Sequence, residues 1–164
     1  MRQRIPYFIL IIFLFIADQA TKAWIARDII LNSSKQVIPG FIQLVHIRNK
    51  GAILGFFSQS GNRYVFLFLT MASLVALCLV VYYFFKASSD DKWLKISLSL
   101  VIAGALGNFV DRIIKGYVID FFDVSVKGWH WPSFNVADSC ISIGAVMLIF
   151  IFLFKRSPTC SPSS

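Results

Sequence analysis

Glutamate is absent from this chain, and all eight acidic residues are Asp. Histidine is nearly absent, at two residues, and the three cysteines are scattered: Cys78 and Cys140 inside apolar runs, Cys160 near the end. No Cys-x-x-Cys and no His-x-x-x-His pair occurs, so neither a zinc site nor a disulfide framework is implied. There is no glycine-rich phosphate loop, and no Ser or Cys stands in a recognisable nucleophile elbow beside His46 or His130. Charged residues make up only 15% of the chain. These shortages exclude a disulfide miniprotein and most soluble enzymes.

Hydrophobic residues are abundant, at 57% of 164 residues with 17 Phe, against roughly 45–50% in a typical soluble chain. The net charge is +8, but the basic residues are separated by long apolar runs. Anionic headgroups of a membrane fit that pattern, and nucleic acid does not. Four stretches have bilayer length, about 20 helical residues for about 30 Å: residues 5–25, 64–85, 94–114 and 136–154. The second carries no charge across 22 residues. The expected fold class is therefore an all-α membrane protein, a four-helix transmembrane bundle forming one domain over residues 1–156. The tail, 157–164, is rich in Ser and Pro and expected to be disordered.

The first span imitates a cleavable signal peptide, but Asp18 stands where a small residue is wanted and apolar character resumes at Ala23. A retained helix is expected. Between the spans, strand-like runs occur at Phe41–Arg48 and Tyr117–Val124. Charge counting gives seven Lys and Arg on the N-terminal side and nine on the other, which does not fix the orientation. Their density on the short N-terminal-side segments favours that side as cytoplasmic.

An even number of spans brings polar residues together. Asp18 and Lys22 lie near the far end of span one, Asn108, Asp111 and Arg112 near the far end of span three, and Asn135 and Asp138 at the start of span four. Asn49 and Asp120 lie in strand-like loops on the same face. Charges at that depth cost a few kcal/mol each and generally face a bundle interior or a cavity. Each also has a plain structural reading. Asp18–Lys22 has the spacing of a helix-surface ion pair, Arg112 of a snorkelling interface residue, and Asn135–Asp138 of a helix N-cap with an acid in the first turn. Asp123 reads as an exposed loop acid, and Asp111 as a structural partner of Arg112 or a loop amide. As a set, the carboxylates suit water activation, one as base and one as acid. A proton relay through Asp18, Asp111 and Asp138 in a transporter subunit is the alternative, and a small assembly subunit a third class.

Five boxes then stand in order: Asp18-Gln-Ala-Thr-Lys22, Arg48-Asn-Lys-Gly51, Gly104-Ala-Leu-Gly-Asn-Phe-Val-Asp-Arg112, Val118-Ile-Asp-Phe121 and Phe134-Asn-Val-Ala-Asp138. With them the chain resembles the lipoprotein signal peptidases, or signal peptidase II, over residues 5–154. It departs from them at Gly51-Ala-Ile-Leu-Gly55, where a Phe commonly precedes the second Gly. The resemblance implies an aspartyl endopeptidase of the bacterial inner membrane, with both termini cytoplasmic and the active site at the periplasmic face. Its substrate would be a lipid-modified prolipoprotein, cut just before the diacylglyceryl-bearing Cys. The catalytic pair maps onto Asp120 and Asp138; Asp18, Lys22, Asn49, Asn108, Asp111, Arg112 and Asn135 map onto binding and supporting positions. No cofactor, no metal and no nucleic acid are implied; the partners are the substrate and membrane lipids, and the enzyme is expected to be a monomer. A small periplasmic β-cradle and an interfacial helical segment complete the implied fold. Within the pair, Asp138 is expected to be the carboxylate, because a helix N-terminus favours the anion. Asp120, among Ile119, Phe121 and Phe122, is expected to keep the proton.

Overall fold

The structure, a computed structural model, describes residues 2–50, 63–88, 90–126 and 128–154. Four helices are long and apolar enough to cross a membrane: α1 (Ile5–Asp28), α2 (Arg63–Lys86), α3 (Lys92–Lys115) and α4 (Val136–Phe154). Each includes the span expected from the sequence, give or take the first residue. α1 starts with a proline in its first turn, where the missing N–H costs nothing. α3 stops at Gly116, whose left-handed backbone (φ 74°) lets its N–H return to the Arg112 carbonyl at 3.1 Å.

α3 is the hub, packing against α1, α2 and α4. Its glycines allow that approach. A Cβ at Gly104 would collide with the Ala137 carbonyl, and one at Gly107 would lie 2.5 Å from Asp18 Oδ2. Small residues at helix contacts are how membrane bundles pack tightly without a hydrophobic drive. Away from the sheet, Ile11, Phe84, Leu98, Ile102 and Ala103 form the apolar core. There Arg4 donates to the Phe85 carbonyl at 2.9 Å and stacks over its ring, pinning the start of α1 to the end of α2.

The strands β1 (Ser34–Ile38), β2 (Ile42–Asn49), β3 (Val118–Val126) and β4 (Trp129–His130) form an antiparallel sheet in sequence order at one end of the bundle. β2 and β3 match the two strand-like runs within two residues at each end. The sheet is fixed to α1 by a second cluster, Ile25, Ile29, Ile119 and Phe121. His46, buried on β2, adds a 2.8 Å hydrogen bond to the Ile29 carbonyl. Ile47 pairs with Asp120 and Asn49 with Val118, so Ile47, Asn49, Val118 and Asp120 share one face. Phe134 bridges Phe122, and the chain entering α4 thus runs along β3.

Among the described residues there is no further helix beyond a 3-10 turn at Arg2–Arg4. The Gly51–Gly55 departure and the tail expected to be disordered lie outside the described residues. Asp123 is not the exposed loop acid expected. It is buried on β3, where it accepts from Gln43 Nε2 at 2.7 Å and meets His130 Nδ1 at 3.1 Å. Alternation correctly puts it on the face opposite Asp120, but that face is also covered.

Candidate active site

Two carboxylates arrive from different elements. Asp120 is carried by β3 and Asp138 by the first turn of α4. Asn135 precedes α4 and makes a reciprocal capping box with Asp138. The Asn135 side-chain oxygen accepts the Asp138 N–H at 2.9 Å, and Asp138 Oδ2 accepts the Asn135 N–H at 3.1 Å. With its oxygen committed, Asn135 can turn only its amide N–H groups outward, and it donates to Asp120 Oδ1 at 2.8 Å. One buried residue therefore donates to both carboxylates, to Asp120 through its side chain and to Asp138 through its backbone.

Each carboxylate has a second donor. Asn49 Nδ2 reaches Asp120 Oδ2 at 2.9 Å, and Asn108 Nδ2 reaches Asp138 Oδ1 at 2.7 Å. The Asn108 amide is oriented from behind: its Oδ1 accepts Lys22 Nζ at 3.0 Å, and a lysine can only donate. Burial, and then the charge of Asp138, push the Asp120 carboxyl up to about 7; the amides of Asn49 and Asn135 pull the other way.

Behind this layer stands a closed ion cluster. Lys22, fully buried, meets Asp18 Oδ2 at 2.8 Å and Asp111 Oδ2 at 2.7 Å, and Asp111 Oδ1 meets Lys115 at 2.7 Å. Asp18 Oδ1 also accepts the Ala137 N–H at 2.9 Å, satisfying a backbone donor at the start of α4. The Asp18–Lys22 pair is thus no helix-surface pair, and the partners of Asp111 are lysines rather than Arg112. Since Asp18 and Asp111 both spend an oxygen on Lys22, they do not form a line of exchangeable carboxyls with Asp138.

In front lies a cavity of about 860 Å³, lined by Asp120, Asp138, Asn49, Asn108 and Arg112 together with apolar side chains such as Ile141 and Phe134. Of the nine residues singled out in the sequence, those five face the cavity; Asn135, Asp18, Lys22 and Asp111 support them from behind. Arg48 and Trp131 also border the cavity and were not singled out. Arg48 lies in one of the five boxes; Trp131 carries no sequence signal beyond being an aromatic next to Pro132.

Amide-clamped carboxylates at the mouth of an apolar cavity, in a bundle of membrane-length helices, define a membrane-embedded peptidase of the aspartic type. The chain belongs to the signal peptidase II family: the family model described as "Signal peptidase (SPase) II" matches residues 10–154. Among curated relatives, a lipoprotein signal peptidase of Syntrophus aciditrophicus is 43% identical over 85% of this chain and 86% of its own length. One from Staphylococcus aureus is 40% identical over 89% of this chain and 86% of its own. A solved structure of a bacterial membrane enzyme, obtained in meso at 2.3 Å, superposes with a TM-score of 0.81 at 33% identity, covering 97% of this chain and 93% of that one. A second, at 1.9 Å, gives 0.79 at 34% identity over 92% and 94%.

Proposed function

We propose that this chain, as one integral membrane domain over residues 1–156, cleaves the signal peptide from diacylglyceryl-modified prolipoproteins on the N-terminal side of the lipidated Cys. Asp120 and Asp138 are the catalytic pair. The observation that carries this assignment is that one residue, Asn135, donates to both carboxylates at the wall of the cavity, to Asp120 through its side-chain amide and to Asp138 through its backbone N–H.

The pair holds one proton. Asp138, as carboxylate, takes a proton from a water that attacks the scissile carbonyl carbon, and Asp120 gives its proton to the carbonyl oxygen. The resulting tetrahedral diol collapses as the proton gained by Asp138 passes to the leaving nitrogen and the C–N bond breaks. The new carboxyl end of the signal peptide and the free amine of the Cys separate. The diol's proton returns to Asp120, restoring the one-proton state. Asn49 and Asn108 keep the carboxylates aligned, and Arg112 meets a substrate carbonyl or the lipid ester, since an Arg at membrane depth needs such an oxygen. The apolar cavity wall holds acyl chains.

The enzyme works as a monomer among membrane lipids in the bacterial inner membrane, both termini cytoplasmic and the cavity on the periplasmic face. Purified protein in detergent, given matched lipobox peptides with and without the diacylglyceryl group, tests the reading. Cleavage confined to the lipidated peptide, and strongly weakened in Arg112→Ala, is expected. Equal cleavage of both peptides by the unsubstituted enzyme overturns the lipid-reading role.

A further inference from the structure

The sequence contains no acidic residue between Asp28 and Asp90, yet Lys35, Arg48, Lys50, Arg63 and Lys86 fall in that stretch. The structure gathers two of these cations at the end of β2, next to Lys115 at the end of α3. Arg48, Lys50 and Lys115, with Leu31, Asn32 and Tyr117, enclose a cavity of about 640 Å³ lined by no carboxylate among the described residues. The Arg48 guanidinium lies over the Tyr117 ring at 4.6 Å, a contact that steadies a cation without cancelling its charge. Lys115 is balanced within the Asp18–Lys22–Asp111–Lys115 cluster, two acids against two bases. Arg48 and Lys50 remain as surplus positive charge.

The surroundings say what could use that charge. Ile30, beside Leu31, and Ile113 and Ile114, beside Lys115, are 81%, 61% and 75% exposed at the ends of two membrane-length helices. A ligand that satisfies both features is an amphiphile with an anionic head and apolar chains. A planar guanidinium with two ammonium groups suits phosphate oxygens, which accept several charge-assisted hydrogen bonds at once. The diacylglyceryl group of the proposed substrate carries no charge, so it does not answer this cavity.

We propose that this basic cavity binds the phosphodiester of an anionic membrane phospholipid, at a site that adjoins the proposed catalytic cavity at Arg48. The two meet at the end of β2, where Arg48 borders both. Arg48 turns to Tyr117, while Asn49, the next residue on the strand, turns to the other face and holds Asp120. A bound headgroup thereby steadies the strand that carries a clamp of the catalytic pair.

The test is native mass spectrometry of the full chain released from mixed micelles of phosphatidylglycerol and phosphatidylcholine in equal amounts, a readout that does not depend on peptidase activity. The unsubstituted protein is expected to retain phosphatidylglycerol selectively. Lys50→Gln should lower that retention about fivefold, and Lys50→Gln with Lys115→Gln about 25-fold, as expected for each cation near an anionic lipid surface. Lys35→Gln, on the exposed strand β1 and outside the cavity, should change nothing. Because Lys115 also holds Asp111, the single Lys50→Gln variant decides the matter alone if the double variant does not fold. Equal retention of both lipids, or equal losses in Lys35→Gln and Lys50→Gln, overturns the site. Displacement of phosphatidylglycerol by inorganic phosphate at matched ionic strength assigns the cavity to free phosphate and overturns the lipid as its occupant.

Discussion

Lys22 and Lys95 lie at opposite ends of the bundle, and both are withdrawn from solvent, at 0% and 1% exposure. Lys22 is held by Asp18 and Asp111 and fixes the Asn108 amide behind Asp138. Lys95 sits in the first turn of α3, with its ammonium over the Tyr7 ring at 5.4 Å, beside the apolar core of Ile11, Phe84 and Leu98. An ammonium at membrane depth costs a few kcal/mol, and the two ends offset that cost differently. Opposed carboxylates from two helices fix position and direction at once, and at the other end a ring face adds to what holds the ammonium. The first arrangement stands at the end that carries the proposed catalytic pair; the other end joins the start of α1, the end of α2 and the start of α3.

The difference is broken most severely at the carboxylates themselves. Asp120→Asn and Asp138→Asn should each lower turnover of a lipidated peptide by about 10³-fold or more while the protein still melts as a folded species. Near-normal turnover by either variant would remove the assignment. Next in size is the lysine pair. Lys22→Met leaves Asp18 and Asp111 facing each other without their shared cation, and should cost about 3–5 kcal/mol in detergent unfolding. Lys95→Met loses the ammonium–ring contact with Tyr7 and should cost less than Lys22→Met, about 0.5–2 kcal/mol. Equal losses at both positions would erase the contrast drawn above.

Acidity sharpens the same comparison. The Asp120 carboxyl, pushed up to about 7, holds a proton in the folded protein that an unfolded chain releases near its ordinary value of about 4. Folding therefore binds the extra proton between those limits, and this group's contribution to stability falls as pH rises from about 4 to 7. Turnover should likewise fall about tenfold per pH unit above about 7, as Asp120 loses the proton that it must donate. A pH–rate profile flat to pH 9 (about two units higher) would show that Asp120 is not the acid. The smallest effect belongs to Asp123→Asn. It keeps an acceptor for Gln43, stands on the face away from the proposed catalytic pair, and should change turnover by less than about twofold with about 1 kcal/mol of stability lost.

What the sequence made legible follows the range of the interactions. The Asn135–Asp138 spacing announced a helix start, and the structure has that cap. The Asp18–Lys22 spacing announced a pair, but its third member, Asp111, arrives from α3, and no local pattern can report a partner 89 residues away. The strands β2 and β3 showed as runs rich in β-branched and aromatic residues, and β3 is packed on both faces. β1, exposed along its whole length, has no apolar face to alternate, and β4 is only two residues long. Asp123 was misread for a related reason: period two tells which residues share a face, and nothing local tells that Gln43 and His130 cover the second one.

The Asn135 side chain caps a helix and clamps Asp120, its backbone N–H holds the Asp138 carboxylate, and its carbonyl receives the Ser139 N–H at 3.2 Å. Fraying of the first turn of α4 and loss of catalytic alignment are consequently one event, although fraying elsewhere in a helix is ordinarily silent. The amide protons of Ala137, Asp138 and Ser139 become internal reporters of the competent state. Their hydrogen-exchange rates should rise under mild denaturant in step with the loss of turnover, ahead of exchange from the middle of α3. A compound that engaged both carboxylates would slow exchange at those three amides even though it touched none of them, which gives a ligand screen that needs no substrate.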